Sequence, residues 1–171
     1  MIYLFFIIVL FAAEVIYFKI ADRYNIIDKP NHRSSHSEIT IRGGGIIFPL
    51  AILLWFVFSG FQYPLFILGL LLISAISFAD DLKDLSKRLR LITHLTAIIC
   101  VFFQLNLFST NLMLPAAFIL IIGVINAYNF MDGINGITGI YSLVTLSTLL
   151  WINIYYVNFV DPGIIVSAIL G

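Results

Sequence analysis

Apolar residues run through this chain in six long segments, at 2–20, 44–59, 63–79, 91–108, 112–130 and 137–160. Each approaches the ~20 residues that a helix needs to cross the hydrocarbon core of a bilayer. With 61% hydrophobic residues, 11% charged residues and a mean hydropathy of +1.08, the 171 residues expose too little polar surface for a soluble domain. Membrane β-strands would alternate apolar and polar positions, and these runs do not. The expected fold is therefore all-α: a polytopic transmembrane helix bundle of about six spans plus a truncated seventh, in a single transmembrane domain over 1–171. The short segments at 44–59 and 63–79 are expected to be tilted or locally thinned crossings. The first segment has no basic residue before it and carries Glu14, so it reads as a membrane helix rather than a signal peptide.

The last apolar stretch, 163–171, reaches only about 14 Å at ~1.5 Å per residue, under half of a ~30 Å core. The expectation is that the chain is the first portion of a longer protein, or that a partner covers this end.

Charge orients the segments. All nine Lys and Arg residues lie in or beside two loops: Lys19, Arg23, Lys29, Arg33 and Arg42 in the first, Lys83, Lys87, Arg88 and Arg90 in the second. The positive-inside rule makes both loops cytoplasmic, which puts the N-terminus outside and returns the chain to the cytoplasmic face near Asn129 and Asp132.

Three polar blocks gather at that face. The stretch 126–136, with Ile137, reads NAYNFMDGINGI and sets three amides, a carboxylate and glycines at the end of an apolar helix, where polar groups are costly. Counted along a helix, Asn126, Asn129, Asp132, Gly133 and Gly136 recur at three- and four-residue steps and share a face. The adjacent pair Asp80 and Asp81 ends another apolar segment and precedes Lys83, Lys87, Arg88 and Arg90. Carboxylates beside cations suit a phosphate-bearing substrate with a divalent ion. The first loop reads DKPNHRSSH and then, after four residues, IRGGG; Arg33, His36 and Arg42 are its phosphate donors, and the glycines offer backbone N–H groups to an anion. A zinc site on His32 and His36 lacks nearby further ligands. Cys100, within an apolar run, reads as a small buried or lipid-facing residue.

The three blocks, DKPNHRSSH with RGGG, DDLKDLSKRLRL, and NAYNFMDGINGITG, make the chain resemble the polyprenyl-phosphate N-acetylhexosamine-1-phosphate transferases. This is glycosyltransferase family 4, which includes the lipid I synthase of peptidoglycan assembly. The first block is most similar to the branch that initiates O-antigen and teichoic-acid linkage synthesis. The resemblance covers these residues but only the N-terminal half of a roughly ten-span transferase.

What it implies is a Mg2+- or Mn2+-dependent transfer of N-acetylhexosamine-1-phosphate from a UDP-sugar to undecaprenyl phosphate. UMP is released and a cell-envelope polysaccharide such as lipopolysaccharide or a cell-wall polymer is begun. By the same resemblance Asp80 and Asp81 are the catalytic pair, Asn129 and Asp132 meet the metal, and Arg33, His36, Arg42, Arg90, Asn126 and Asn129 bind substrate. The expected setting is the inner, cytoplasmic membrane, with the bilayer, the two substrates and a second copy of the chain as partners, and no nucleic acid. The sequence departs from the family at His94, where relatives have glutamine, and at Ile41, where proline is usual. The competing expectations are an inactive truncated remnant or scaffold that needs a partner half and, ranked lowest, a small ion transporter, because the acids lie at helix ends rather than at the midplane.

Overall fold

The protein is described by a computed structural model covering residues 1–28, 40–83, 85–109, 114–131 and 136–171, with the side chains of Asp28, Thr40, Ser109 and Asn129 also outside the description. Among the described residues the fold is all-α apart from one two-residue ladder. In chain order the elements are α1 (Ile2–Arg23), β1 (Ile27–Asp28), β2 (Thr40–Ile41), α2 (Ile47–Phe58), α3 (Pro64–Leu82), α4 (Lys87–Gln104), α5 (Leu114–Met131), α6 (Ile137–Tyr155) and α7 (Pro162–Leu170), with 3₁₀ turns at Gly44–Ile46 and Leu107–Ser109.

Every apolar segment of the sequence forms a helix. Helices α1, α3 and α6 are both long and apolar enough to cross a membrane, which makes this a membrane protein. Phe11, Ile119 and Ile140 are about 70% exposed, as lipid-facing side chains are, because lipid tails make such burial unnecessary. Gly44–Phe58 and Leu114–Tyr128 are shorter apolar stretches. Helix α4 is 18 residues long, but Lys87, Arg88 and Arg90 occupy its start.

The chain divides into two compact units, 1–60 with 132–171, and 61–131. In the first, Phe6, Leu10, Tyr17 and Ala21 form one buried stripe of α1, at the four- and seven-residue spacing of a helix face. Ile47, Ala51, Ile52 and Trp55 of α2 and Ile164, Ile165 and Ala168 of α7 complete this core. The Phe58 ring meets those of Phe5 and Phe6 at 5.7 and 5.5 Å. The ladder, Ile27 opposite Ile41 and Asp28 opposite Thr40, returns the chain to the end of α1.

The turn between α6 and α7 is held by one buried amide. Asn153, 1% exposed, donates to the Val160 carbonyl at 2.9 Å and accepts from the N–H groups of Phe159 and Val160 at 2.9 and 3.1 Å. Asp161 then caps α7 by accepting from the Gly163 N–H at 2.6 Å. An apolar setting gives these backbone groups few other partners, so Asn153→Ala is expected to cost about 1–3 kcal/mol for the donors and acceptor it strands. A detergent melt checks this, and an unchanged melting temperature would rule the clamp out.

The second unit is an α3–α4 hairpin with α5 laid against α4. Three rungs tie the hairpin along its length. At one end Gln104 Oε1 accepts from the Leu65 N–H at 3.0 Å, supplying the cap that Tyr63 does not. In the middle a Cβ on Gly69 would stand 2.8 Å from the Ala97 carbonyl oxygen, so only glycine lets the two backbones approach this closely. At the other end Arg90 reaches Asp80. Phe102 and Phe118, with ring centroids 4.6 Å apart, join α4 to α5.

Candidate active site

Helix α3 continues one turn beyond its apolar run and carries Asp80 and Asp81 in that last turn. Acids at a helix C-terminus and bases at a helix N-terminus both oppose the macrodipole, at ~0.3–1 kcal/mol each. Asp80 and Asp81 do the first, and Lys87, Arg88 and Arg90 at the start of α4 do the second. Neither helix is stabilised by this placement, so the charges are arranged for something other than helix stability.

Across the turn the opposed charges meet. Arg90 Nη1 donates to Asp80 Oδ2 at 2.6 Å, the short distance of a charge-assisted hydrogen bond. Asp80 Oδ1 accepts from the Leu85 N–H at 2.9 Å, so both oxygens of this carboxylate are engaged. The pair is partly exposed, with side chains 33% and 25% accessible for Arg90 and Asp80. Ser86 caps α4 by accepting from the Leu89 N–H at 3.3 Å, which fixes where Arg90 stands. Asp81, about 100° further round α3, is exposed. His94 lies one turn beyond Arg90 on α4 and is half-buried.

Asn126 is exposed on α5, in the same unit as Asp80, Asp81 and Arg90. Asn129 follows on α5, with its side chain outside the described residues. Of the helical face drawn through 126–136, Asn126 and Asn129 lie on α5, which is described to Met131, and Gly136 departs from it, taking φ 81° as the residue before α6, a left-handed conformation that glycine adopts without strain. Gly136 therefore serves the start of α6, while Asp132 and Gly133 lie outside the described residues.

In the first unit the RGGG run is built onto α1. The Tyr17 hydroxyl donates to the Arg42 carbonyl, and the Arg42 N–H donates to the Ile26 carbonyl at 3.1 Å. Gly43, at φ 77°, makes the sharp entry into the 3₁₀ turn Gly44–Ile46 that opens α2. The Arg42 side chain is exposed. Glu14 packs over this turn: a Cβ on Gly44 would lie 3.6 Å from its Oε1, and its Oε2 is buried with no hydrogen-bond partner among the described residues. Arg33 and His36 lie outside the described residues.

Of the residues singled out in the sequence, the structure thus joins Asp80 to Arg90, sets Asp81 beside them and puts Asn126 in the same unit. The Asp80–Leu85 and Asp80–Arg90 bonds carried no signal in the sequence, because an aspartate five and ten residues from its partners is paired only by the hairpin.

Comparison with known proteins follows the same residues. The sequence profile described as glycosyl transferase family 4 matches residues 63–171. An undecaprenyl-phosphate alpha-N-acetylglucosaminyl 1-phosphate transferase from Thermotoga maritima is 32% identical over 119 residues, which cover 64% of this chain and 37% of the relative. The match thus spans little more than a third of that relative's length. No solved structure matches the chain.

Proposed function

The chain belongs to glycosyl transferase family 4, and on that premise we propose that it carries part of the active site of a polyprenyl-phosphate N-acetylhexosamine-1-phosphate transferase. The observation that carries this reading is the paired aspartates at the end of α3 facing the cationic first turn of α4. The donor is a UDP-N-acetylhexosamine and the acceptor undecaprenyl phosphate, the lipid named in the Thermotoga relative. A phosphate oxygen of the lipid attacks the β-phosphorus of the UDP-sugar. The bond from that phosphorus to the oxygen bridging it to the α-phosphorus breaks, and UMP leaves with the electron pair. The products are a diphosphate-linked lipid sugar and UMP, the first step of a cell-envelope polysaccharide of the O-antigen or teichoic-acid kind.

Two anions must be brought together, so the protein's task is positioning and charge neutralisation. Arg90 and the other cations at the start of α4 meet phosphate, aided by the positive end of the helix. Asp81 orients or deprotonates the lipid phosphate. Arg42, with Arg33 and His36, holds a further phosphate, and Asn126 contacts the nucleotide. The carboxylate and amide oxygens of this set suit Mg2+ or Mn2+ as hard donors. Among the described residues no three acids, histidines or cysteines come together as a metal site. Asn129 and Asp132 would hold the ion, and when bound it supplies positive charge to the diphosphate. Both basic loops face the cytoplasm and the N-terminus lies outside, in the inner membrane.

The protein purified in proteoliposomes with undecaprenyl phosphate and Mg2+ is expected to release UMP from one member of a panel of UDP-N-acetylhexosamines. Release that is equal without the lipid, or absent with every sugar, would overturn the reading.

A further inference from the structure

We propose that α1 carries two positioning residues for the first basic loop: Tyr17 and Glu14 fix the backbone from which Arg42 extends. The glycine run that follows is taken up by this carboxylate of the chain itself rather than by a substrate's phosphate. The proposal rests on the transferase reading and deepens it, by naming what aims Arg42.

Positions 10, 14, 17 and 21 recur at four- and three-residue steps, so Glu14 shares the face of α1 that buries Leu10, Tyr17 and Ala21. An acid within an apolar helix is costly and calls for a role. A Cβ on Gly44 would stand 3.6 Å from Glu14 Oε1 and 4.0 Å from a Phe18 ring carbon, so the 3₁₀ turn that opens α2 rests on this part of α1. Gly43, at the head of that turn, supplies no side-chain cap, and Glu14 Oε2 is buried with no hydrogen-bond partner among the described residues. The first N–H groups of a helix form its positive end, where a carboxylate is favourable, and an apolar setting screens that attraction less than water does. A phosphate arriving at the same glycines would meet the acid at close range and be repelled.

One turn along α1, the Tyr17 hydroxyl donates to the Arg42 carbonyl, while the Arg42 N–H donates to the Ile26 carbonyl at 3.1 Å. Both backbone polar groups of Arg42 are therefore held. Ile41, paired with Ile27, fixes the chain just before it, and the left-handed Gly43 turns the chain just after. The Arg42 side chain is exposed, and an arginine whose backbone is already ordered gives up less freedom when it takes an anion.

The test compares Tyr17→Phe, Glu14→Gln and Arg42→Gln with the wild type in proteoliposomes. Each is read as kcat and KM for undecaprenyl phosphate and the UDP-sugar and, independently of turnover, as affinity for undecaprenyl phosphate and for UDP and as hydrogen exchange at the Arg42 and Ile46 amides. Phenylalanine keeps the buried ring and glutamine keeps the side chain's size, so both α1 variants are expected to fold. Arg42→Gln identifies which substrate's phosphate the loop takes. Tyr17→Phe and Glu14→Gln are expected to raise KM and weaken binding for that same substrate by roughly three- to tenfold, the range of one hydrogen bond, with kcat changed less and exchange at the two amides faster. In the Arg42→Gln background neither is expected to add a further loss, because both act through Arg42. Glu14→Asp, which keeps the charge, is expected to retain more of the binding than Glu14→Gln.

Binding that tightens in Glu14→Gln would return the glycines to the phosphate and overturn the proposal. So would losses that add to that of Arg42→Gln, unchanged exchange in both α1 variants, or faster exchange with KM and affinity unmoved, which is a structural role alone. Arg42→Gln that binds both substrates like the wild type would overturn it as well. Protein that shows the expected binding pattern but forms no UMP would count against the transferase reading while leaving this proposal standing, and wild type that binds neither substrate would overturn both.

Discussion

Asp81→Asn is expected to lower kcat for UMP release by about 10²- to 10⁴-fold, the span that a positioned acid–base group contributes, with a much smaller change in KM. Asparagine keeps the size of the side chain and one accepting oxygen but removes the charge and the proton-accepting carboxylate. Asp81 is exposed in the last turn of α3, so the substitution opens no cavity. Replacing an acid at a helix C-terminus by a neutral amide also relieves an unfavourable interaction with the helix dipole. The variant should therefore insert and melt like the wild type while losing turnover. Activity within tenfold of wild type would remove Asp81 from the reaction.

The second large effect lies away from the chemistry. Gly69→Ala is expected to destabilise the protein by about 1–3 kcal/mol, because its new methyl group has nowhere to go. The Cβ would stand 2.8 Å from the Ala97 carbonyl oxygen, a backbone atom, and 3.5 Å from a Val101 methyl. Backbone yields only if α3 and α4 separate. Separation would also misalign Asp80 with Arg90 at the hairpin's end, so UDP binding is expected to fall together with stability. Gly123→Ala on α5 is the matched control: its added Cβ meets nothing within 4 Å, and the change is expected to be neutral or slightly stabilising. An SDS or heat titration separates the two. Equal unfolding midpoints for Gly69→Ala and wild type would show that the close approach is unimportant.

The helices were legible because membrane solvent leaves few choices: a long apolar run must satisfy its own backbone hydrogen bonds and therefore coils. Their ends were less so. Helix α3 extends through Leu82 and α4 begins at Lys87, since the Ser86 cap and the Asp80 bonds keep charged residues helical where hydropathy alone would stop. Helix α2 begins only after a 3₁₀ turn over the glycines, and the left-handed Gly136 belongs to the start of α6 rather than to the helix that carries Asn126. Asn153 lay hidden as one polar residue within an apolar helix, because its partners, Phe159 and Val160, come close only when α6 turns into α7. Residue chemistry was legible at Asp80, Asp81 and Arg90, as charges too costly to lie idle beside a membrane helix. Which charge meets which was not, since that is a property of the hairpin.

The most direct measurement follows a label. UDP-N-acetylhexosamine carrying ³²P in its β-phosphate is given to the protein with undecaprenyl phosphate, and lipid and nucleotide are separated. The account predicts that the label passes into the lipid while unlabelled UMP appears in equal amount, because the bond broken is the one between bridging oxygen and β-phosphorus. Label retained in UDP, with sugar alone moving to the lipid, would contradict it.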